Sequence, residues 1–171
     1  YGKFGGKELG YGSDLDIVFL HDSSGNEQHT AGSQVIDNSE FFTRLSQRII
    51  HILNTYTSAG ILYEVDMRLR PNGASGLLVS RLDAFAEYQR RSAWTWENQV
   101  LVRAGVITGG DEIVRQFERI RSGVLARPRE AGKLRKEVME MRQRMRAELD
   151  KSNDRQVDLK HCRGGIVDVE F

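Results

Sequence analysis

The sequence predicts an α+β fold: a mixed sheet with flanking helices over residues 1–110, followed over residues 111–171 by helical segment alone, leading into a following helical domain. Three observations predict it. An apolar run, Leu15 to Leu20, follows a glycine-rich segment as a buried strand would. Residues 61–69, ILYEVDMRL, alternate apolar and charged positions with the period of a strand. Elsewhere apolar residues recur every three or four positions, the spacing of helices that rest one face on a core.

Taken in chain order, the first twelve residues, YGKFGGKELGYG, hold five glycines and read as a loop that brings backbone amides close to a ligand. The strand over residues 15–20 ends at His21, Asp22, Ser23, Ser24 and Gly25, and residues 22–36 form a polar loop. Asp37 with Glu40 is a capping-box pattern. It opens an amphipathic helix over about residues 39–58, carrying Phe42, Leu45, Ile49, Ile52, Leu53 and Tyr56 and stopped by Gly60. The strand over residues 61–69 turns Tyr63, Val65, Met67 and Leu69 one way and Glu64, Asp66, Arg68 and Arg70 the other, and Pro71-Asn72-Gly73 ends it. A short strand over residues 76–79 follows, with Ser80 capping a helix that bears Phe85 and Tyr88. Further helices are expected over residues 93–103, from Asp111 to about Leu125, and over residues 131–149. The last has an apolar stripe of Leu134, Val138, Met141, Met145 and Leu149 and a solvated charged face from Arg135 to Arg146.

The composition excludes several classes of function. With 39% hydrophobic and 29% charged residues the chain is an ordinary globular protein. Its apolar runs fall far short of the roughly 20 residues of a membrane helix, so no membrane residence is expected. A net charge of +1 gives no bulk attraction for nucleic acid. The single Cys162 forms no internal disulfide and suits the cytoplasm. Cys162 is expected to be inert, and His21, His29, His51 and His161, lacking ligand spacing, are expected to be surface or packing residues. The chain begins at Tyr1 without a methionine and stops at Phe171 in mid-pattern, so a piece of a longer protein is expected. No internal repeat is present.

The chemistry concentrates in GYGSDLDIVFL, residues 10–20. Asp14 and Asp16 share a strand face, and two carboxylates so close repel one another unless a cation sits between them. A hard divalent ion such as Mg2+ takes carboxylate oxygens together with substrate phosphates. The charged face of the later strand supplies a third acid, Asp66, with Glu64 in reserve. Three such carboxylates suit two metal ions and in-line phosphoryl or nucleotidyl transfer. The glycine segment just upstream would receive phosphates through its backbone amides, with Lys3 and Lys7 as charge partners and Ser13 beside the acids, and Arg68 and Arg70 would clamp phosphate oxygens. Each feature alone is commonplace: a solvated strand end, a glycine turn, a salt-bridged face. Their coincidence in this order is what points to nucleotide chemistry.

The glycine loop, the spaced aspartates and the later carboxylate resemble the nucleotidyltransferase superfamily of DNA polymerase beta. Within it, YGKFGGKELGYGSDLDIVFLHD, ILYEVDMRLRPNGASGLLV, AWTWENQVLVRAGVITG and GGIVDVEF resemble, in that order, blocks of the bifunctional glutamine synthetase adenylyltransferase/adenylyl-removing enzymes. The likeness spans nearly the whole chain. SDLDIVFLHD, SAWTWENQ and GGIVDVEF are closer to the wording of the C-terminal, adenylylating half than to that of the N-terminal half. Gly105 stands where the family often has Arg, and Gly12 where Ser is common.

The resemblance implies a polymerase beta-like nucleotidyltransferase core in residues 1–110, incomplete at its N-terminus. It implies transfer of AMP from ATP to a tyrosine hydroxyl of glutamine synthetase in nitrogen regulation. It makes Asp14, Asp16 and Asp66 the catalytic and metal-binding residues for two Mg2+ ions, and Gly2, Lys3, Gly5 and Gly6 part of the nucleotide loop. It also implies a nitrogen-signalling regulatory protein as a partner. Two alternatives stay open: the phosphorolytic adenylyl-removing half of the same enzyme, and a nucleotidyltransferase-like domain that binds nucleotide or a regulator without catalysis.

Overall fold

The computed structural model describes residues 1–23, 28–61 and 63–170. It divides into two compact units, Tyr1–Ala126 and Arg127–Phe171. Residues 24–27 of the expected polar loop, Leu62 of the expected strand and Phe171 lie outside the described residues.

The first unit mixes helices with short parallel strands, the α+β class expected. Strands β1 (Leu15–Asp16) and β3 (Val65–Asp66) pair in parallel, and so do β2 (Phe19–His21) and β4 (Val79–Arg81). The strand expected over residues 15–20 is therefore two pieces with two different partners. Leu15 N–H and Ile17 N–H donate to the carbonyls of Glu64 and Asp66 at 2.8 and 2.9 Å, after which the chain passes to β4.

Among the described residues the alternation of 61–69 yields a ladder of two residues, Val65–Asp66, and it ends there because Asp66 folds back on its own chain. Its Oδ1 accepts the backbone N–H of Arg68 at 2.8 Å, the local side-chain bond that competes with a sheet. Arg70 N–H then donates to the Met67 carbonyl at 3.3 Å and Gly73 N–H to that of Arg70 at 2.8 Å, closing successive turns. A 3-10 turn, Gly73–Ser75, carries the chain round, so β4 begins three residues later than the expected strand at Gly76. Gly76 is required there, since a Cβ would lie 1.8 Å from the Pro71 carbonyl oxygen.

The helices are α1 (Gly2–Gly5), α2 (Asn38–Leu53), α3 (Leu82–Arg91), α4 (Thr95–Gln99) and α5 (Asp111–Leu125). The glycine segment expected as loop thus begins with one helical turn. Asp37 caps α2 by accepting Ser39 N–H at 2.7 Å, while Glu40 reaches forward to Arg44 instead of back to the cap. α2 stops at Leu53, short of the expected 58. Thr55 Oγ1 donates to the His51 carbonyl at 2.6 Å, and Thr57 and Gly60 close a tight turn with each other. Phe42 stacks on the buried His21 at 4.8 Å, yet Phe41, Leu45, Ile52 and Leu53 stay exposed. Arg81, rather than Ser80, precedes α3 as its cap residue.

The helix expected over residues 93–103 is α4 followed by a 3-10 turn, Val100–Arg103. Arg121 of α5 braces that turn by donating to the carbonyls of Leu101 and Val102, both at 2.8 Å, acceptors at the end of the expected helix that no α-helical amide within it would reach. The core of the unit joins Tyr1, Leu82, Phe85, Leu101, Ala104, Phe117 and Val124, with Phe85 and Leu101 wholly buried and the Phe85 and Phe117 rings 6.2 Å apart. α5 thus packs with the sheet-bearing unit. Trp94 is 66% exposed and takes no part in that core.

The second unit holds α6 (Ala131–Leu149) and α7 (Ile166–Glu170). Glu130 caps α6 by accepting the amides of Gly132 and Lys133. Its charged face is not uniformly solvated: Arg142 is buried, pairs with Asp168 and donates to the carbonyls of His161 at 3.0 Å and Cys162 at 3.3 Å. Asp168 also accepts from Arg146 and from Gly164 N–H at 2.6 Å. Asp158 holds the preceding turn through the amides of Lys160 at 2.9 Å and His161 at 3.0 Å.

Two expected outcomes follow from this packing. Phe85→Ala lowers the stability of the first unit by about 3 to 5 kcal/mol in denaturant unfolding, as for any large ring removed from a closed core. In the second unit, the His161 amide and ring hold the Asp158 carboxyl down to about 2, and the Gly164 amide and Arg142 hold that of Asp168 below its usual range. A carboxyl whose folded value lies below its unfolded value stabilises fully above the unfolded value, about 4, and loses that as pH falls through the folded one. Amide-exchange protection of residues 158–168 should therefore fall between about pH 4 and pH 2, and Asp158→Asn should flatten that fall.

Candidate active site

The parallel register of β1 and β3 sets Asp16 opposite Asp66. Facing residues of parallel neighbours point to the same side, with strands about 4.8 Å apart, so the two carboxylates stand together. Asp16 is half-buried, and its carboxyl is pushed up first by that burial, then by the negative charges of Asp66 and Asp14. Asp66 moves the other way. Arg68 grips it through Nε at 2.7 Å and through Nη2, and this hydrogen bonding holds the Asp66 carboxyl below its usual range. Asp14 is exposed and follows directly on Ser13, whose Oγ accepts Gly10 N–H at 3.2 Å and so fixes the approach to β1.

The glycine segment lies directly against this pair. Tyr1 nitrogen donates to the Asp16 carbonyl at 2.9 Å, and Gly2 sits at φ +53° where an added Cβ would be 2.2 Å from Asp16 Oδ2. Only glycine permits both the left-handed backbone and the approach. At the other end, a Cβ on Gly5 would be 2.2 Å from the Arg103 carbonyl oxygen. The amides of Gly5, Gly6, Lys7 and Glu8 close the segment's own turns on Tyr1, Gly2, Phe4 and Lys3 carbonyls, at 2.8 to 3.2 Å. Lys3 and Lys7 are exposed beside them.

The two arginines of the charged strand differ in what they do. Arg68 has a side chain 79% exposed and engages Asp66. Arg70 donates to the carbonyls of Met67 at 2.7 Å, Ala74 at 2.9 Å and Gly76 at 3.3 Å, which fastens the turn between β3 and β4.

Among the described residues no three His, Cys, Asp or Glu side chains gather as a metal-binding group. Arg68 already satisfies Asp66, and Asp14 stays out in solvent. The donor chemistry nevertheless fits a hard cation. Asp16, raised by burial and then by the neighbouring carboxylates of Asp66 and Asp14, is the environment that a divalent ion relieves, and the available donors are carboxylate oxygens.

Two features had no signal in the sequence. Arg103, from the 3-10 turn, pairs with Glu8 across 95 residues. Glu97 is buried and accepts Tyr88 Oη at 2.7 Å and Trp94 N–H at 2.8 Å. Burial, and then Glu97, push the phenol of the neighbouring Tyr1 well above its usual range. Both depend on contacts between elements far apart in the chain. The only local hint was an acid, Glu97, placed among the aromatic residues of a helix.

Residues 1–120 match the family model described as glutamate-ammonia ligase adenylyltransferase. The whole chain is similar to proteins named bifunctional glutamine synthetase adenylyltransferase/adenylyl-removing enzyme. It is 59% identical over 171 residues to that of Thioalkalivibrio sulfidiphilus, 55% over 176 to that of Hahella chejuensis, and 54% over 183 to that of Pseudomonas syringae pv. tomato. In each case all of this chain is covered but only 18% of the relative, so the chain spans about a fifth of the length of these proteins. No helix among the described residues is long and apolar enough to cross a membrane.

The approach of Gly2 to Asp16 can be tested directly. Gly2→Ala forces a Cβ onto Asp16 Oδ2 in a backbone region that alanine avoids. It should cost about 1 to 3 kcal/mol of stability in chemical denaturation. Gly12→Ala, at φ +75° with no atom within 4 Å of its added Cβ, should cost only the backbone part, about 1 kcal/mol.

Proposed function

The chain belongs to the glutamate-ammonia ligase adenylyltransferase family, and from that premise we propose that it carries the nucleotidyl-transfer centre that moves AMP from ATP to a tyrosine hydroxyl of glutamine synthetase. The reading is that of the C-terminal, adenylylating half, acting in the cytoplasm in the control of nitrogen assimilation, with a nitrogen-signalling protein as regulator. The catalytic core is residues 1–110, and α5, read from sequence as part of the following helical segment, packs onto it through Phe117 and Val124.

The observation that supports it most is the pairing of Asp16 with Asp66 in adjacent parallel strands, with Gly2 against Asp16. Asp14, Asp16 and Asp66 would hold Mg2+, which when bound makes a hydroxyl more acidic and neutralises charge on the phosphates. The rest falls to the chain's own side chains. Arg68 keeps Asp66 ionised, the state able to accept a proton. In the transfer, the tyrosine oxygen bonds to the α-phosphorus, the bond to pyrophosphate breaks, and the hydroxyl proton passes to Asp66. Lys3 and Lys7 stand beside the glycine segment as cations for the phosphates. Gly5 and Gly6 let the chain approach them closely, and Ser13 fixes the entry of the acid-bearing strand. Arg68, exposed at its tip, is the nearest arginine to the acids, while Arg70 contributes by holding the turn behind them.

The full-length protein containing this chain, mixed with glutamine synthetase, Mg2+ and labelled ATP or phosphate, separates the readings. AMP incorporation is expected; ADP release from adenylylated glutamine synthetase with phosphate would instead indicate the adenylyl-removing half, and neither product would indicate binding without catalysis. The Asp14→Asn, Asp16→Asn double variant should keep its thermal transition and fall below about one-thousandth of wild-type turnover, the scale of several kcal/mol of lost charge stabilisation. Retained turnover by that variant would remove the carboxylate site from the mechanism.

A further inference from the structure

We propose that Arg103 is a phosphate-binding residue of this site, and that Glu8 is an internal anion that occupies it until a nucleotide polyphosphate displaces it; this rests on the nucleotidyl-transfer reading above. Arg103 ends the 3-10 turn Val100–Arg103, far along the chain from the glycine segment, yet it lies on that segment. A Cβ added to Gly6 would sit 3.3 Å from its Nε, Gly5 is pressed against its carbonyl, and its guanidinium pairs with Glu8.

The two partners are not equally anchored. Leu101 and Ala104, on either side of Arg103, belong to the buried core, and Arg121 pins the Leu101 and Val102 carbonyls just before it. The Arg103 side chain is 28% exposed and that of Glu8 64%. The cation is therefore set by the core, and the carboxylate reaches in from an exposed loop end. An ion pair so exposed contributes little to holding the fold.

A planar fork fixed over glycines is suited to bidentate phosphate recognition, which the flexible point charges of Lys3 and Lys7 are not. The carboxylates lie at the Gly2 end of the segment and Arg103 at the Gly5 and Gly6 end. A polyphosphate running along the segment from the acids would meet Arg103, and Glu8 would have to let go.

A carboxylate that competes with the ligand has a signature that a structural tie lacks: removing it tightens binding. Titration calorimetry on the full-length protein with Mg2+ and either ATP or inorganic tripolyphosphate reads this. Glu8→Gln should bind both about threefold to tenfold more tightly than wild type. Arg103→Ala should bind them about 10- to 100-fold more weakly, the scale of one charge-assisted bidentate contact. In the double variant the gain from Glu8→Gln should vanish. Arg103→Lys, which keeps stem and charge, should fall between wild type and alanine, and it carries the test if the alanine variant does not fold.

Unchanged or weaker binding by Glu8→Gln, with wild type binding normally, overturns the exchange and leaves the nucleotide reading standing. A gain that persists without the Arg103 guanidinium also overturns it. Wild-type protein that binds neither ATP nor tripolyphosphate overturns both.

Discussion

The repulsion between Asp16 and Asp66 is the constraint around which the first unit is arranged. Two carboxylates in facing register, one of them half-buried, would separate the strands that carry them unless something held the pair together. The backbone does part of it: the ladder bonds of Leu15 and Ile17 to Glu64 and Asp66 run on either side of the two acids. Arg68 does the rest by neutralising one member. The strain on Asp16 remains, and it is the kind that a bound cation relieves.

Glycine makes this compatible with a covered site. Lying against Asp16, Gly2 leaves the carboxylate no side chain to displace, and the Tyr1 backbone is tied to the same residue's carbonyl. The Tyr1 ring in turn enters the core beside Leu101 and Phe85. The glycine segment is therefore anchored at its head by apolar burial and at its tail by Gly5 against the Arg103 carbonyl. Its position is decided by the core, whereas its own sequence decides only that it can fit.

This accounts for what was legible in the sequence and what was not. Asp14, Asp16, Asp66 and the glycines stood out because each breaks a local expectation, an acid in a strand or a cluster of residues with poor helix propensity. The approximate limits read for α5 and α6 match the structure because their apolar periodicity is long and uninterrupted. Those of the strands do not. Residues 61–69 have a clean alternation, but the Asp66 carboxylate captures the Arg68 amide, and no hydropathy pattern encodes that choice. α4 gives way to a 3-10 turn at Val100, and the carbonyls of Leu101 and Val102 in that turn are held by Arg121, twenty and nineteen residues later in the chain. Local pattern sets what a segment can form; side-chain hydrogen bonds that the pattern does not encode, near in the chain for Asp66 and Arg68 or far for Leu101 and Arg121, shape its ends.

Buried Arg142 shows the same rule in the second unit. Its helix face reads as solvated, and its neighbours Lys133, Lys136, Glu137 and Glu140 do form the expected exposed pairs one turn apart. Arg142 differs because Asp168 and the carbonyls of His161 and Cys162 converge on it, leaving a guanidinium where an apolar residue would ordinarily sit. A buried charge is tolerated only with partners of this number and geometry, and removing Asp168 would leave it without its counter-charge. Asp168 therefore acts on the same principle as Arg68 in the other unit. Each supplies the opposite charge that lets an expensive residue stay where the backbone puts it. The difference lies in exposure: Arg142 is sealed and fixes a turn, while the Arg68 side chain is largely in solvent as it grips Asp66.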